Sequence, residues 1–271
     1  LLGNNVFFLT GTDEHGQKVE KAAINSNLKP KEFVDKLSVN FINLIPFLGC
    51  EIDDFIRTTE ERHIKASQEF WKQLEKNNQI YLSNYEGWYS VIDEAFYFEN
   101  ELKKIDGKYF TDNGSPVEWV KEESYFFKLS EWQDKLIDYY EKNPESILPK
   151  TRYNEVLSFI KGGLKDLSVS RTTFNWGVPV PNNSKHVMYV WIDALCNYLT
   201  AIGYPDTNNN NYKKFWPATH IVGKDILRFH AVYWPAFLMA AGIEPPKKIF
   251  AHGWWTNEGQ KISKSIGNVI D

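Results

Sequence analysis

Two lysines three residues apart, Lys261 and Lys264, sit in a turn-rich stretch that opens at Asn257-Glu258-Gly259-Gln260 and runs on through Ile262-Ser263-Lys264-Ser265-Ile266-Gly267-Asn268. On a loop able to close over a nucleotide, such cations would stabilise charge developing on transferring phosphates, which water-exposed lysines do poorly; the plainer reading is a solvated basic loop. Gly223-Lys224-Asp225 falls between an expected strand and the next helix, the place where open α/β sheets bind ligands. Glycine there lets a ligand approach the backbone, and Asp225 has the chemistry to accept from ribose hydroxyls or simply to cap the helix. Asp13 and His15 follow the first expected strand in the same topological position. A carboxylate there suits a substrate ammonium group, or it satisfies the helix dipole. Trp191, Leu195 and Tyr198 lie at i, i+4 and i+7 with Ala194 beside them, and Ile226 and His230 at i and i+4. Two such stripes would suit an unbranched apolar side chain carrying a weak acceptor such as a thioether, or they are ordinary core.

Several elements must position these groups. Val6 to Thr10, closed by Gly11, reads as a strand buried on both faces. After Pro30, Phe33, Leu37, Phe41, Leu44 and Leu48 recur at helical spacing up to Gly49. Thr58-Thr59-Glu60-Glu61 is a capping box for a second helix, with Ile64, Phe70 or Trp71 and Leu74 inward and Asn77-Asn78 as its stop. Between residues 78 and 172 the texture turns β-rich, with the aromatic segments Tyr85 to Ser90 and Phe96 to Phe98 and a turn at Asp112-Asn113-Gly114. Its later half is helical, with Trp132, Leu136 and Tyr140 in period and Gly162-Gly163 closing a segment that starts after Pro149. From Val187 strand and helix alternate: strand to Val190, helix to Gly203, strand His220 to Val222, helix Asp225 to Ala241, strand Lys248 to Ala251. The alternation predicts a doubly wound α/β parallel sheet interrupted by a mixed β/α insertion. It divides the chain at residues 1–77, 78–172 and 173–271.

The 271 residues are 42% hydrophobic and 24% charged, which excludes a disordered or fibrous chain. No apolar run is long enough to span a bilayer. A net charge of −4 argues against a general nucleic-acid wrapper. Two cysteines distant in sequence, Cys50 and Cys196, suit a reducing cytoplasmic setting, and His15 forms no metal-ligand pattern with His230 or His252.

The stretch from Lys261 to Ser265 resembles the KMSKS signature of class I aminoacyl-tRNA synthetases, with isoleucine in second place. Together with Thr10-Gly11-Thr12-Asp13-Glu14-His15-Gly16, Tyr189-Val190-Trp191-Ile192-Asp193-Ala194, Gly223-Lys224-Asp225-Ile226, Phe229-His230 and Ala251-His252-Gly253-Trp254, it is similar to the methionyl-tRNA synthetase family along essentially the whole chain. The fold that this resemblance implies is Rossmann-like. Methionine would be activated by ATP with Mg2+, releasing pyrophosphate, and transferred to the 3′ end of tRNA(Met). It implies that Asp13 holds the substrate ammonium and that Trp191, Ala194, Leu195, Tyr198, Ile226 and His230 line the methionine side-chain pocket. Gly223 and Asp225 would contact the adenosine, His252, Gly253 and Trp254 would border the adenine, and Lys261 and Lys264 would clamp the phosphates. Arg171 matches a family arginine with a supporting role in catalysis.

Relative to the family pattern, the HIGH motif is expected upstream of Leu1 and the anticodon-reading domain beyond Asp271, which makes the chain a fragment. The insertion lacks the cysteine knuckles that bind zinc in some members, so no structural zinc is expected. Two other readings stay open: an RNA-binding module that keeps the fold without the chemistry, and a different nucleotidyl transferase on the same fold.

Overall fold

The computed structural model describes residues 3–257 and 260–262. The chain divides into two compact units, one of Leu1–Lys128 with Asp166–Trp216 and one of Leu129–Lys165 with Pro217–Asp271.

In the first unit, strand β1 (Leu9–Thr12) pairs in parallel with β2 (Asp54–Arg57), Gly11 standing opposite Ile56. The chains approach so closely there that a Cβ on Gly11 would lie 1.9 Å from the Ile56 carbonyl oxygen, so only glycine fits. The strand starts three residues later than its apolar run predicts. Val6 is 68% exposed and β1 is only partly covered, since among the described residues it has one partner strand rather than two. Between β1 and β2 run helices α1 (Gln17–Asn25) and α2 (Pro30–Phe47). Helix α2 has the expected ends but turns a different face inward: Val34 and Ser38 are buried, while Leu37, Phe41, Leu44 and Leu48 are exposed.

Helix α3 (Glu61–Lys76) buries Phe70, Trp71 and Leu74 as its period requires. Its capping box does not form, because Thr58 Oγ1 instead accepts the Glu14 N–H at 2.9 Å and Glu60 Oε1 accepts from Arg57 N at 3.3 Å. The helix loses its cap and the loop after β1 gains an anchor.

A long antiparallel pair follows, β3 (Ile80–Ser90) against β7 (Glu118–Phe127), flanked by β4 (Ala95–Tyr97) and β9 (Leu167–Ser168). A small hairpin, β5 (Lys103–Ile105) with β6 (Lys108–Phe110), leads into the expected turn, where Gly114 has φ 81°. The unit ends with β10 (Ser170–Arg171) against β11 (Val187–Met188), the short helices α6 (Val190–Leu195) and α7 (Asn197–Thr200), and α8 (Asn210–Phe215).

The second unit is a three-stranded parallel sheet in the order β12 (Thr219–Gly223), β13 (Lys248–His252), β8 (Ile147–Leu148). Helices α4 (Gln133–Lys142) and α5 (Lys150–Lys161) belong to it, α5 ending at Gly162 with Gly163 at φ 104° as the glycine pair predicts. Residues 129–165, which the sequence reading groups with 78–172, thus fall in this unit, since β8 hydrogen-bonds to β13. The parallel pairings of β1 with β2 and of β12 with β13 follow the strand-helix alternation, and the chain is an α/β protein. No described helix is long and apolar enough to cross a membrane.

Candidate active site

In the first unit the loop after β1 is clamped on three sides. Glu14, buried, accepts from Arg57 through Nε at 2.7 Å and Nη2 at 3.0 Å and from Thr12 Oγ1 at 2.7 Å. Its carbonyl takes the Trp176 indole N–H at 2.6 Å, and Gly16 N donates to the Trp176 carbonyl at 3.0 Å. His15 stands edge-on to the Trp176 ring and meets Asp193 Oδ2 through Nδ1 at 2.7 Å. A charge-assisted clamp of this kind fixes a loop more firmly than turn propensity does.

Clamped in this way, Asp13 stays on the surface. Its carboxyl is held well above the ordinary aspartate range by desolvation first, then by the like charges of Asp193 and Glu94. An acidic group destabilised by its own neighbours gains from a bound cation, because an ammonium offsets the repulsion.

Asp193 is fully buried on α6, where Oδ1 meets His63 Nε2 at 2.7 Å while Oδ2 holds His15. Burial alone would raise its pKa; the two imidazoles reverse that and bring it down to about 2. Trp191 and Tyr198 are half-buried, Ala194 is buried, and Leu195, at 1% exposure, is as enclosed as the core residue Ile192 beside it. The stripe is broken after Leu195, since α6 and α7 meet at Cys196. Burial pushes the Tyr198 phenol up, so it remains a protonated donor through the neutral range.

Arg171 is 2% exposed and lies inside the first unit rather than on its surface. Its guanidinium carbon is 4.0 Å from the centre of the Phe96 ring and 5.1 Å from those of Tyr89 and Tyr189, while Nη1 donates to Ser168 Oγ at 2.9 Å. The nearest carboxylate contact, to Glu122, is 3.7 Å. In that setting the side chain braces the aromatic layer of the β3–β7 sheet.

In the second unit the residues expected around the nucleotide converge at the carboxyl ends of two parallel strands. Gly223 and His252 are register partners, and Gly223 leads directly into a 3-10 turn, Lys224–Ile226. Asp225 Oδ1 accepts the Trp254 indole N–H, and Lys224 Nζ lies 3.5 Å above the centre of the same indole. His252, Gly253 and Trp254 are all exposed, leaving this corner open to a ligand.

The helical run after Asp225 is not a plain α-helix. It passes through a π-turn, Phe229–Tyr233, before α9 (Trp234–Ala240), and His230 sits in that turn. Pro235 explains it: proline has no N–H to offer the Ala231 carbonyl and its ring crowds that oxygen. Trp234 N–H reaches back to Phe229 O, and Tyr140 Oη donates to Ala231 O at 2.5 Å. His230 Nδ1 pairs with Ile226 O at 2.9 Å, and burial brings its pKa down to about 4, so it is a neutral imidazole at pH 7. Ile226 is half-buried.

Lys261 lies on a two-residue strand that pairs with Thr256–Asn257, opposite Thr256. Lys264 lies outside the described residues. Among the described residues no cluster of three His, Cys, Asp or Glu is arranged to hold a metal ion, and Cys50 and Cys196 are both free.

The sequence reading misses Asp193, His63 and Glu14. One signal was available: an aspartate inside the apolar run Tyr189-Val190-Trp191-Ile192-Asp193-Ala194-Leu195 is a buried charge that needs partners.

The family model for tRNA synthetases class I (M) matches residues 1–271. The chain belongs to the class I tRNA synthetases. Within that family it is 64% identical over 270 residues to the methionine–tRNA ligase of Rickettsia typhi, covering 99% of this chain and 52% of the relative. The match to the enzyme of Brucella suis is 57% over 273 residues, 100% of this chain and 53% of the relative. The crystal structure of Mycobacterium tuberculosis methionyl-tRNA synthetase bound by methionyl-adenylate has a TM-score of 0.95 at 52% identity, over 98% of this chain and 53% of that one. The chain thus spans about half the length of the synthetases it matches.

Proposed function

We propose that the protein containing this chain is a methionine–tRNA ligase. The methionine carboxylate attacks the α-phosphorus of ATP, forming the carboxyl–phosphate bond as the bond to pyrophosphate breaks. The terminal ribose hydroxyl of tRNA(Met) then attacks the adenylate carbonyl and AMP leaves. Mg2+ arrives with ATP as part of the substrate, and the reaction runs in the cytoplasm.

Each half of the chemistry has its own residues. Asp13 pairs with the ammonium of methionine, while Trp191, Ala194, Leu195, Tyr198, Ile226 and His230 recognise its thioether side chain. Neutral His230 suits that role, since an imidazolium would demand a counter-charge that a thioether cannot supply. Gly223 and Asp225 hold the adenosine, and His252, Gly253 and Trp254 border the adenine. Lys261 and Lys264 draw charge from the leaving pyrophosphate, the step that gains most from a positioned cation. Arg171 acts indirectly, by supporting the sheet beside the Asp13 loop.

The observation that carries this reading is the likeness to the methionyl-adenylate-bound synthetase across 98% of the chain. The test is ATP–pyrophosphate exchange by the full-length protein against all amino acids, with Lys264→Ala as control. Exchange confined to methionine and collapsing in the variant is the expected result. Exchange with another amino acid would overturn the pocket assignment, and binding of methionine without exchange would return the non-catalytic module.

A further inference from the structure

Helix α1 begins two residues after His15, and its first turn lacks a side-chain cap of its own. Gly16 at the N-cap has no side chain and a φ of 102°. The missing acceptor comes from 76 residues away: Glu94 Oε1 takes the Lys18 N–H at 3.3 Å. That oxygen lies so close over Gly16 that a Cβ there would come within 2.1 Å of it, which makes glycine a requirement of the docking as well as of the turn.

Glu94 is itself fixed. It closes the tight turn between β3 and β4 with φ 48°, and its carbonyl accepts the Tyr189 hydroxyl at 2.8 Å. Two residues earlier, the Ile92 carbonyl accepts Lys18 Nζ at 3.3 Å. The β3–β4 turn therefore grips Lys18 at two points, its backbone N–H and its ammonium, five residues after Asp13. A carboxylate at a helix N-terminus meets both the unpaired amides and the positive end of the dipole.

We propose that Glu94 is a positioning residue for Asp13, tying the β3–β7 sheet to the loop that receives the substrate ammonium. This inference rests on the reading of Asp13 as the ammonium partner. Glu94 does not touch the substrate; it fixes the end of the loop on which Asp13 is carried. The charged groups facing it are Lys18 on α1, Arg171 on β10, Asp193 on α6 and Asp13 itself. Burial raises Glu94 to about 7, against the pull of the Lys18 amide and charge and of Arg171, so its ionisation changes in the range where the enzyme is assayed.

The test compares wild type, Glu94→Ala and Glu94→Gln in the full-length protein by two readouts. In methionine-dependent ATP–pyrophosphate exchange, Glu94→Ala should raise KM for methionine about tenfold and leave KM for ATP and kcat within about twofold, as expected for one lost charge-assisted hydrogen bond. Glu94→Gln keeps the acceptor for Lys18 N–H and should stay within about threefold of wild type. Its acid limb of KM for methionine should move to lower pH, because Asp13 loses a like charge; a purely structural role would not move it. An unchanged KM for methionine in Glu94→Ala, or an equal rise for ATP, overturns the proposal. The second readout, deuterium uptake by residues 13–20, needs no substrate. Faster uptake in Glu94→Ala with near-wild-type uptake in Glu94→Gln supports the tie, and identical uptake in all three proteins overturns it. If wild type itself shows no methionine-dependent exchange, the functional reading fails and deuterium uptake alone decides the role of Glu94.

Discussion

Asp193 and His15 are 178 residues apart in sequence and 2.7 Å apart in the structure, both buried. One end of that pair sits two residues from Asp13 and the other between Trp191 and Ala194, so a single contact joins the loop after β1 to helix α6. The second oxygen of Asp193 is spent on His63 of α3, which makes the aspartate a three-element junction.

Asp193→Asn should therefore be among the costly single changes in this chain. The amide supplies one acceptor oxygen where the carboxylate supplied two, so one buried imidazole nitrogen is left facing an N–H. The expected loss is roughly 2 to 4 kcal/mol of unfolding free energy, the range for breaking a buried charged pair. Urea unfolding of wild type and variant measures it; a loss below about 0.5 kcal/mol, the usual scatter of neutral surface changes, would show that the junction does not support the fold.

Acid should weaken the second unit through its histidines. Burial holds His220 well below the ordinary histidine range and His230 at about 4. Below its unfolded pKa each imidazole binds a proton more readily in the unfolded chain than in the folded one. The stability they contribute is thus complete above about pH 6.5 and fades as pH falls towards 4, by roughly 3 kcal/mol for His230. Glu94, raised to about 7, works in the opposite sense over part of that window. Comparing the urea midpoint of His230→Gln with wild type from pH 7.5 to 4.5 isolates the histidine: the two curves should converge as pH falls, and parallel curves would refute the assignment.

The elements of this chain were legible where one local rule acted alone. The Gly162-Gly163 stop, the Asp112-Asn113-Gly114 turn and the strands β12, ending at Gly223, and β13 all follow from short-range signals. The reading failed where a side chain had a better partner far away. Thr58 has the sequence of a helix cap, yet a loop amide 44 residues distant takes its oxygen. Helix α2 shows its apolar period clearly, but period alone does not fix which side faces inward, and Val34 and Ser38 took that side. At the candidate site, residue types named Asp13, Gly223 and Asp225; Asp193 shows in the sequence only as a charge in an apolar run, and its partners, like the hold of Glu94 on the start of α1, are visible only once the chain is folded.

Tyr140 and Pro235 should be coupled energetically. The tyrosine hydroxyl occupies the Ala231 carbonyl that proline leaves open. Tyr140→Phe alone strands a buried carbonyl and should cost about 1 to 2 kcal/mol. In a Pro235→Ala background the same change should cost less than half as much, since alanine restores the N–H that bonds Ala231 O in a regular helix. A double-mutant cycle read by thermal unfolding supplies the coupling energy; strict additivity would show that the π-turn is not maintained by this exchange of donors.

Tyr198 gives the sharpest test of methionine recognition. Its phenol is held protonated by burial, so it can donate to the thioether sulfur, a weak acceptor, at any working pH. Replacing it by phenylalanine keeps the ring and removes only the donor, so methionine affinity should fall by about 1 kcal/mol, roughly fivefold in Kd, the scale of one neutral hydrogen bond. Tryptophan fluorescence reports the binding, because Trp191 is half-buried seven residues before Tyr198 on the same pair of helices. Leucine, which is similar in size but has no sulfur, serves as control: its weak binding should be the same in both proteins, so the variant narrows the methionine-to-leucine ratio. An unchanged methionine affinity would leave Tyr198 as a packing residue. Equal losses for methionine and leucine would point instead to a displaced ring.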